Sequence, residues 1–324
     1  MLSGHDITGV YAIPPTPAKE GSNRWDATDT VDLEETERLT NQLIQDGCGG
    51  LIVLGTTGEC ATLTEAEWEA FVDCLLSTVD GRVPTFVGAT SLGTHDIVRR
   101  LRFLEDRGAD GTLLGLPMWQ PCTEEMAVKF YASISEAFPE LAIMVYANSN
   151  AFRFDFPASF WAGVAESAPT VVTAKFASPA GYVECLEASN RKINLLPMDA
   201  MAHTFAAISP DTVTACWATA ASMGPQPSVA LMRALEARDM AKAEEIGKDL
   251  FWANETFLPA GPDGRPDFEE FGRYNIQLEK LRFEASGYCT PGPVRPPYDV
   301  VPESYAERAR ECGRRWAELV KKYS

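Results

Sequence analysis

A lysine closes an apolar run near the middle of this chain: Val171, Val172, Thr173, Ala174 and Lys175, followed by Phe176, Ala177 and Ser178. Lysine is among the side chains least often fully buried. Desolvation disfavours an ammonium ion, and a neutral amine is a nucleophile that condenses with carbonyl carbon. The other reading is a lysine ion-paired at the rim of the fold. Tyr146, Ala147 and Asn148 end a second apolar run, and strand alternation places Tyr146 and Asn148 on one face. Such a tyrosine either shuttles protons or is a buried aromatic with a hydrogen-bonded hydroxyl. A third run ends in Gly55, Thr56, Thr57, Gly58 and Glu59. Its glycines let the backbone approach a ligand closely, and its hydroxyls and free N–H groups form a cradle for a small carboxylate without a basic side chain. A plain strand-to-helix turn is the alternative there. Trp119 and Trp217, also at run ends, make either a flat slot for an aromatic ring or core packing.

These residues need elements to position them. Eight short apolar runs occur, at 9–15, 50–55, 83–90, 111–118, 141–148, 171–178, 193–200 and 212–219. Each is rich in Val, Ile, Leu or Ala and lacks strict polar alternation, as parallel strands covered on both faces do. Amphipathic stretches lie between them. Residues 32–46 have helical spacing and a stop at Gly47, and Thr64 with Glu67 reads as a capping box. Further helices are expected at 94–107, at 123–138, and at 157–167 with Pro157 in the first turn. Strand–helix units in this order predict an α/β fold, a (β/α)8 TIM barrel. An open doubly wound sheet would carry a Gly-rich phosphate loop, and neither G-x-G-x-x-G nor G-x-x-x-x-G-K is present. Barrel active sites lie at the carboxy-terminal ends of the strands, where the threonines, Tyr146 and Lys175 fall. Helical patterns continue at 240–257, 268–286 and 303–323, separated by a Gly/Pro linker at 259–267 and a four-proline segment at 290–297. Residues 1–238 therefore read as a catalytic barrel, and 239–324 as a helical extension packed on it.

The chain has 324 residues, 45% of them apolar and 23% charged, and carries a net charge of −18. So acidic a surface argues against a nucleic-acid partner. No apolar run is long enough for a membrane span, and the first six residues lack a basic start leading into an apolar stretch. A cytoplasmic protein is expected. The eight cysteines, at 48, 60, 74, 122, 185, 216, 289 and 312, form no C-x-x-C pair, and there are only three histidines. They read as reduced buried thiols, and a zinc site is not expected.

Together, the 55–59 run, Tyr146 and Lys175 resemble the dihydrodipicolinate synthase / N-acetylneuraminate lyase superfamily of pyruvate-handling barrels. The resemblance implies that Lys175 forms an imine with a substrate ketone. Tyr146 would shuttle protons, and Thr56 and Thr57, with Gly55, would bind the pyruvyl carboxylate. No cofactor is implied, since the covalent imine supplies the electron sink. A homo-oligomer, usually a tetramer, is implied as well.

Two departures narrow the likeness. Lysine-pathway synthases carry a tyrosine pair after strand four, where this chain reads Leu116-Pro117-Met118-Trp119-Gln120-Pro121. They also carry Pro-x-Arg-Thr-Gly after strand five, where this chain has Ala151-Phe152-Arg153-Phe154-Asp155-Phe156-Pro157. That string, Pro117-Met118-Trp119, the run 58–64 and Arg295-Pro296-Pro297-Tyr298 are similar to the hydratase-aldolases of polycyclic aromatic degradation. This subgroup implies cleavage of a trans-benzalpyruvate, a small 2-keto acid, to an aromatic aldehyde and pyruvate. Asn148 would orient the added water, and Trp119 and Trp217 would line the ring pocket. The loop 197–203 is mostly apolar, with Asp199 and His203, and would tolerate an anionic ring. The 2'-carboxy substrate of phenanthrene breakdown is therefore expected over the 2'-hydroxy substrate of naphthalene breakdown. A synthase or sugar-acid lyase of the same superfamily is the alternative within enzymes. A catalytically inactive barrel with a binding role is the alternative outside them, and the presence of Lys175, Tyr146, Thr56 and Thr57 argues against it.

Overall fold

The computed structural model describes residues 1–261 and 266–324. Its strands are β1 (Gly9–Ala12), β2 (Gly50–Val53), β3 (Thr85–Gly88), β4 (Gly111–Leu114), β5 (Ala142–Tyr146), β6 (Val171–Lys175), β7 (Asn194–Leu196) and β8 (Ala215–Ala218). The first helices are α1 (Leu33–Gln45), α2 (Glu65–Val79), α3 (Thr94–Asp106) and α4 (Glu124–Ala137). After β5 come α5 (Ser149–Phe152) and α6 (Ala158–Ser167), then α7 (Tyr182–Ala188), α8 (Ala202–Ile208) and α9 (Gln226–Glu236). The chain ends in α10 (Met240–Asn254), α11 (Phe268–Ser286) and α12 (Glu303–Tyr323).

Each expected apolar run holds one strand. The strands are shorter than the runs because the last residues of each run leave the sheet and build the mouth. All pairings are parallel, in the order β7-β6-β5-β4-β3-β2-β1-β8. A bridge between Met198 and Trp217, with the Trp217 N–H donating to Pro197 O at 2.9 Å, draws the two edges together. The result is a nearly closed (β/α)8 barrel. Every residue of β2, β3, β4 and β5 is buried, which is why these strands read as unbroken apolar runs.

Local signals set the helix starts. Asp32 and Thr123 cap α1 and α4, and Thr64 with Glu67 forms the capping box of α2. Pro157 sits at the cap of α6, one position before the first turn where it was expected. Its missing N–H costs nothing there either.

One irregularity decides the geometry of the site. Ile143 pairs with Val171, but Met144 pairs with Thr173, so the register of β5 against β6 slips past Val172. Such a bulge shifts every later pair by one residue. Here it brings Tyr146 level with Lys175 rather than with Ala174. Residues level in a parallel pair share a face, so both side chains point the same way.

The carboxy-terminal helices pack back on the barrel, α12 against α9, α10 and α11, and α10 against α8. The expected linker 259–267 runs through 262–265, which lie outside the described residues. No helix among the described residues is long and apolar enough to cross a membrane. The eight cysteines are free thiols.

Candidate active site

Tyr146 and Lys175 meet at the mouth. The Lys175 Nζ lies 4.9 Å from the centre of the Tyr146 ring and 4.2 Å from that of Trp217. An ammonium over aromatic faces is stabilised by about 0.5–2 kcal/mol. Trp217 is held in turn by its indole N–H, which donates to Phe176 O at 3.3 Å. Lys175 is thus flanked by two rings and kept at the end of its strand. Among the described residues it has no carboxylate within ion-pair distance, so the rim ion pair is not what the fold builds.

The Tyr146 hydroxyl is the hub of the polar contacts. It shares a hydrogen bond of 2.8 Å with Thr56 Oγ1 and accepts one of 3.2 Å from Asn148 Nδ2. The ring is buried and packs edge-on against Phe152, with centroids 5.4 Å apart. Phe152 in turn fits only because residue 115 is glycine, since a Cβ there would stand 2.0 Å from the Phe152 ring.

Asn148 reaches the tyrosine by a route that strand alternation does not describe. β5 stops at Tyr146, and Asn148 caps the short helix α5, its Oδ1 accepting from Ala151 N at 3.1 Å. The cap fixes the amide so that its NH2 group faces the Tyr146 oxygen. Residue type and proximity were legible in the sequence, while the device that aims the side chain was not.

Gly55 packs directly beside the tyrosine: a Cβ on it would meet Leu113 at 3.3 Å and the Tyr146 ring at 3.7 Å. The loop then turns tightly, with Glu59 N–H donating to Thr56 O at 2.9 Å and Thr16 Oγ1 donating to Gly58 O at 2.8 Å. No described residue accepts from the backbone N–H of Thr56 or Thr57. Two free N–H groups and the Thr56 hydroxyl are the elements of an anion cradle. Thr57 is buried.

A cleft of about 620 Å³, a size usual for small-molecule sites, opens beside Tyr146; Gly55, Thr56 and Thr57 are not among its lining residues, and Thr56 adjoins it through its bond to the Tyr146 hydroxyl. Lys175, Tyr146, Asn148 and Trp217 line it, together with the small residues Ala147, Ala177, Ala180 and Gly181. Asp155 and Glu184 bring two carboxylates to its wall, and Lys175 is the sole cation among the lining residues.

Two sequence expectations are placed elsewhere. Trp119 is 76% exposed and is absent from the cleft wall, and Arg153 fastens its loop by donating to Met118 O at 3.1 Å and Trp119 O at 2.5 Å. The loop 197–203 also misses the cleft. Asp199 is buried, accepts from Ser228 Oγ at 2.7 Å, and has its carboxyl pushed up by burial. His203 faces away, against Gly247 of α10. Among the described residues no three His, Cys, Asp or Glu side chains gather as a metal ion would require.

Barrel and mouth together define an aldolase-type barrel enzyme, and the chain belongs to the dihydrodipicolinate synthetase family, which its residues 22–258 match. Within it, the chain is a hydratase-aldolase, a carbon–carbon lyase. It is 43% identical to the trans-O-hydroxybenzylidenepyruvate hydratase-aldolase of Pseudomonas aeruginosa, over 100% of this chain and 96% of that one. It is 39% identical to the trans-2'-carboxybenzalpyruvate hydratase-aldolase of Nocardioides sp. (strain KP7), over 99% of this chain and 96% of the relative. The solved structure of PhdJ bound to a substrate intermediate superposes with a TM-score of 0.95 at 36% identity, covering 100% of this chain and 99% of PhdJ.

Proposed function

We propose that the enzyme cleaves an ortho-substituted trans-benzalpyruvate to pyruvate and an aromatic aldehyde through an imine on Lys175. The arrangement that carries this reading is Lys175 level with Tyr146, whose hydroxyl is bonded to both Thr56 and Asn148. The substrate carboxylate lies on the Thr56 and Thr57 N–H groups and the Thr56 hydroxyl. Lys175 Nζ adds to the ketone, water leaves, and an iminium conjugated to the double bond forms. Water held by the Asn148 amide adds at the carbon next to the ring, and the resulting enamine takes a proton at the carbon between. Tyr146 then removes the proton of the new hydroxyl. The carbon–carbon bond breaks, its electrons pass to the iminium, and the aldehyde departs. Protonation of the enamine and hydrolysis of the iminium release pyruvate and restore the amine.

The charges of the cleft favour one ring substituent over the other. The loop on which a carboxylate was expected to be tolerated does not line it. Asp155 and Glu184 do, and each opposes a second negative charge by roughly 1 kcal/mol or less in this solvated setting. A neutral ortho-hydroxyl suits that wall better than an ortho-carboxylate. The test is a product assay on the 2'-hydroxy and 2'-carboxy substrates side by side, reading pyruvate and aldehyde. Release of both products, with the larger kcat/KM on the hydroxyl form, is expected. Pyruvate consumption in a condensation with no benzalpyruvate cleavage would instead show a synthase.

A further inference from the structure

Directly behind the cradle lies a buried ionic network that catalysis as described above does not use. Glu59, the residue that ends the Thr56–Thr57 turn, has a fully buried side chain. One oxygen accepts from Arg295 N at 2.8 Å. The other is 2.7 Å from Lys280 Nζ and accepts from Arg295 Nη1 at 2.6 Å. Both cations are 3% exposed, and both come from the carboxy-terminal extension, Lys280 from α11 and Arg295 from the proline-rich segment that follows it. Lys280 is tied further to Pro293 O at 2.8 Å. Arg295 also donates to Thr16 O and Pro17 O at 3.2 Å each, and its Nε to Thr30 Oγ1 at 2.7 Å. Thr30 in turn donates to Glu67 of α2. Glu59 thus faces two cations, and Thr30 links Arg295 to the carboxylate of Glu67.

The turn they grip combines internal hydrogen bonds with strained backbone. Leu54 and Glu59 have φ of 56° and 53°, in the left-handed region that non-glycine residues rarely adopt. Gly58 between them has no room for a side chain, since a Cβ would stand 2.7 Å from Leu54 N. Strained backbone at a site persists where surrounding contacts over-determine it. Besides the bonds within the turn, such as Glu59 N–H to Thr56 O and Cys60 N–H to Gly55 O, the contacts that reach it from distant residues include Thr16 on Gly58 O, itself backed by Arg295, and the two cations on Glu59.

We infer that Lys280 and Arg295 are positioning residues for the carboxylate cradle, acting through Glu59, so that the extension sets keto-acid affinity from behind the site. The inference rests on the proposed imine chemistry. Burial, opposed by Glu59 and reinforced by Arg295, lowers the pKa of the Lys280 ammonium to about 8.

The test is borohydride trapping of pyruvate on the full-length chain, read as the pyruvate concentration that gives half-maximal adduct, together with the melting temperature. Lys280→Met is expected to raise that concentration at least tenfold while the maximal adduct stays near one per chain, because Lys175 is intact. Lys280→Arg is expected to restore most of the affinity. Trp316→Phe is the control for mere destabilisation of the extension: it removes a buried bond of 2.9 Å to Gly224 O, remote from Glu59, and should lower melting temperature without moving the half-saturation. Should Lys280→Met fail to fold, Arg295→Lys, which keeps a charge on Glu59 but loses the grip on Thr16 and Pro17, is expected to give a smaller rise. Folded variants with unchanged half-saturation overturn the inference alone. Absence of any adduct in the wild type overturns the imine reading and the inference with it.

Discussion

Replacing Tyr146 by phenylalanine removes one oxygen and leaves the rest of the site in place. The ring keeps its edge contact with Phe152 and its position beside Lys175 Nζ. Two hydrogen bonds are lost, to Thr56 at 2.8 Å and Asn148 at 3.2 Å. Each contributes about 0.5–1.5 kcal/mol net, and water in the cleft compensates part of it, so folding stability should fall by about 1–2 kcal/mol. For a chain of this size that is a shift of a few degrees in Tm. The effect on turnover should be far larger. A positioned general acid–base group contributes about 10²–10⁴-fold, which corresponds to roughly 3–5 kcal/mol of transition-state stabilisation. The assay follows loss of the near-ultraviolet absorbance of a benzalpyruvate, with circular dichroism to confirm folding. The expected result is a fall in kcat of at least a hundredfold, with KM changed by no more than a few-fold and melting nearly intact. Turnover within threefold of wild type in a folded Tyr146→Phe enzyme would refute the role given to the hydroxyl.

Three other expectations address different parts of the account. Trp217→Ala removes the ring 4.2 Å from Lys175 Nζ and should raise KM for aryl substrates about tenfold, and an unchanged KM takes the indole out of the binding site. Asp155→Asn combined with Glu184→Gln should narrow the preference for the hydroxyl over the carboxyl substrate by several-fold, most clearly at low salt, and a constant ratio would show that these carboxylates do not set it. Glu67 tests the folding side. Burial pushes its carboxyl up, but four hydrogen bonds from Thr30 and Thr64 bring it down to about 2, from 4.5 in the unfolded chain. A carboxylate lowered on folding stabilises above its unfolded value and loses that contribution as pH falls toward its folded one. The difference amounts to about 3 kcal/mol, of which solvent screening leaves about 2. Urea midpoints of wild type and Glu67→Gln should therefore converge between pH 4.5 and pH 2, and a gap that stays constant across that window contradicts the assignment.

The barrel was legible because burial on both faces writes each strand as an unbroken apolar run, and Thr64, Thr123 and Gly47 punctuate the helices in standard ways. Lys175 stood out because an ionisable group at the end of such a run is costly unless it is used. What the residues could not disclose was register and long-range partnership. The slip past Val172 that sets Tyr146 level with Lys175 depends on two strands pairing, and no single-strand pattern encodes it. Asn148 was placed by alternation, yet its amide is aimed by a helix cap. Trp119 was placed in the pocket by its chain position, yet its side chain is exposed and off the cleft wall. Glu59 passed as part of a glycine-rich turn because its partners lie more than two hundred residues further along the chain. A buried glutamate closing a glycine-rich turn is itself a signal that a distant cation is required.

The central claim is a covalent bond between Lys175 and the substrate ketone. Incubation with pyruvate and borohydride, followed by peptide mass mapping, tests it most directly. One reduced pyruvyl group on the peptide containing Lys175, absent from Lys175→Ala together with all cleavage activity, is the result expected. No added mass in the wild type, an adduct on another lysine, or a Lys175→Ala enzyme that still cleaves benzalpyruvate would contradict it.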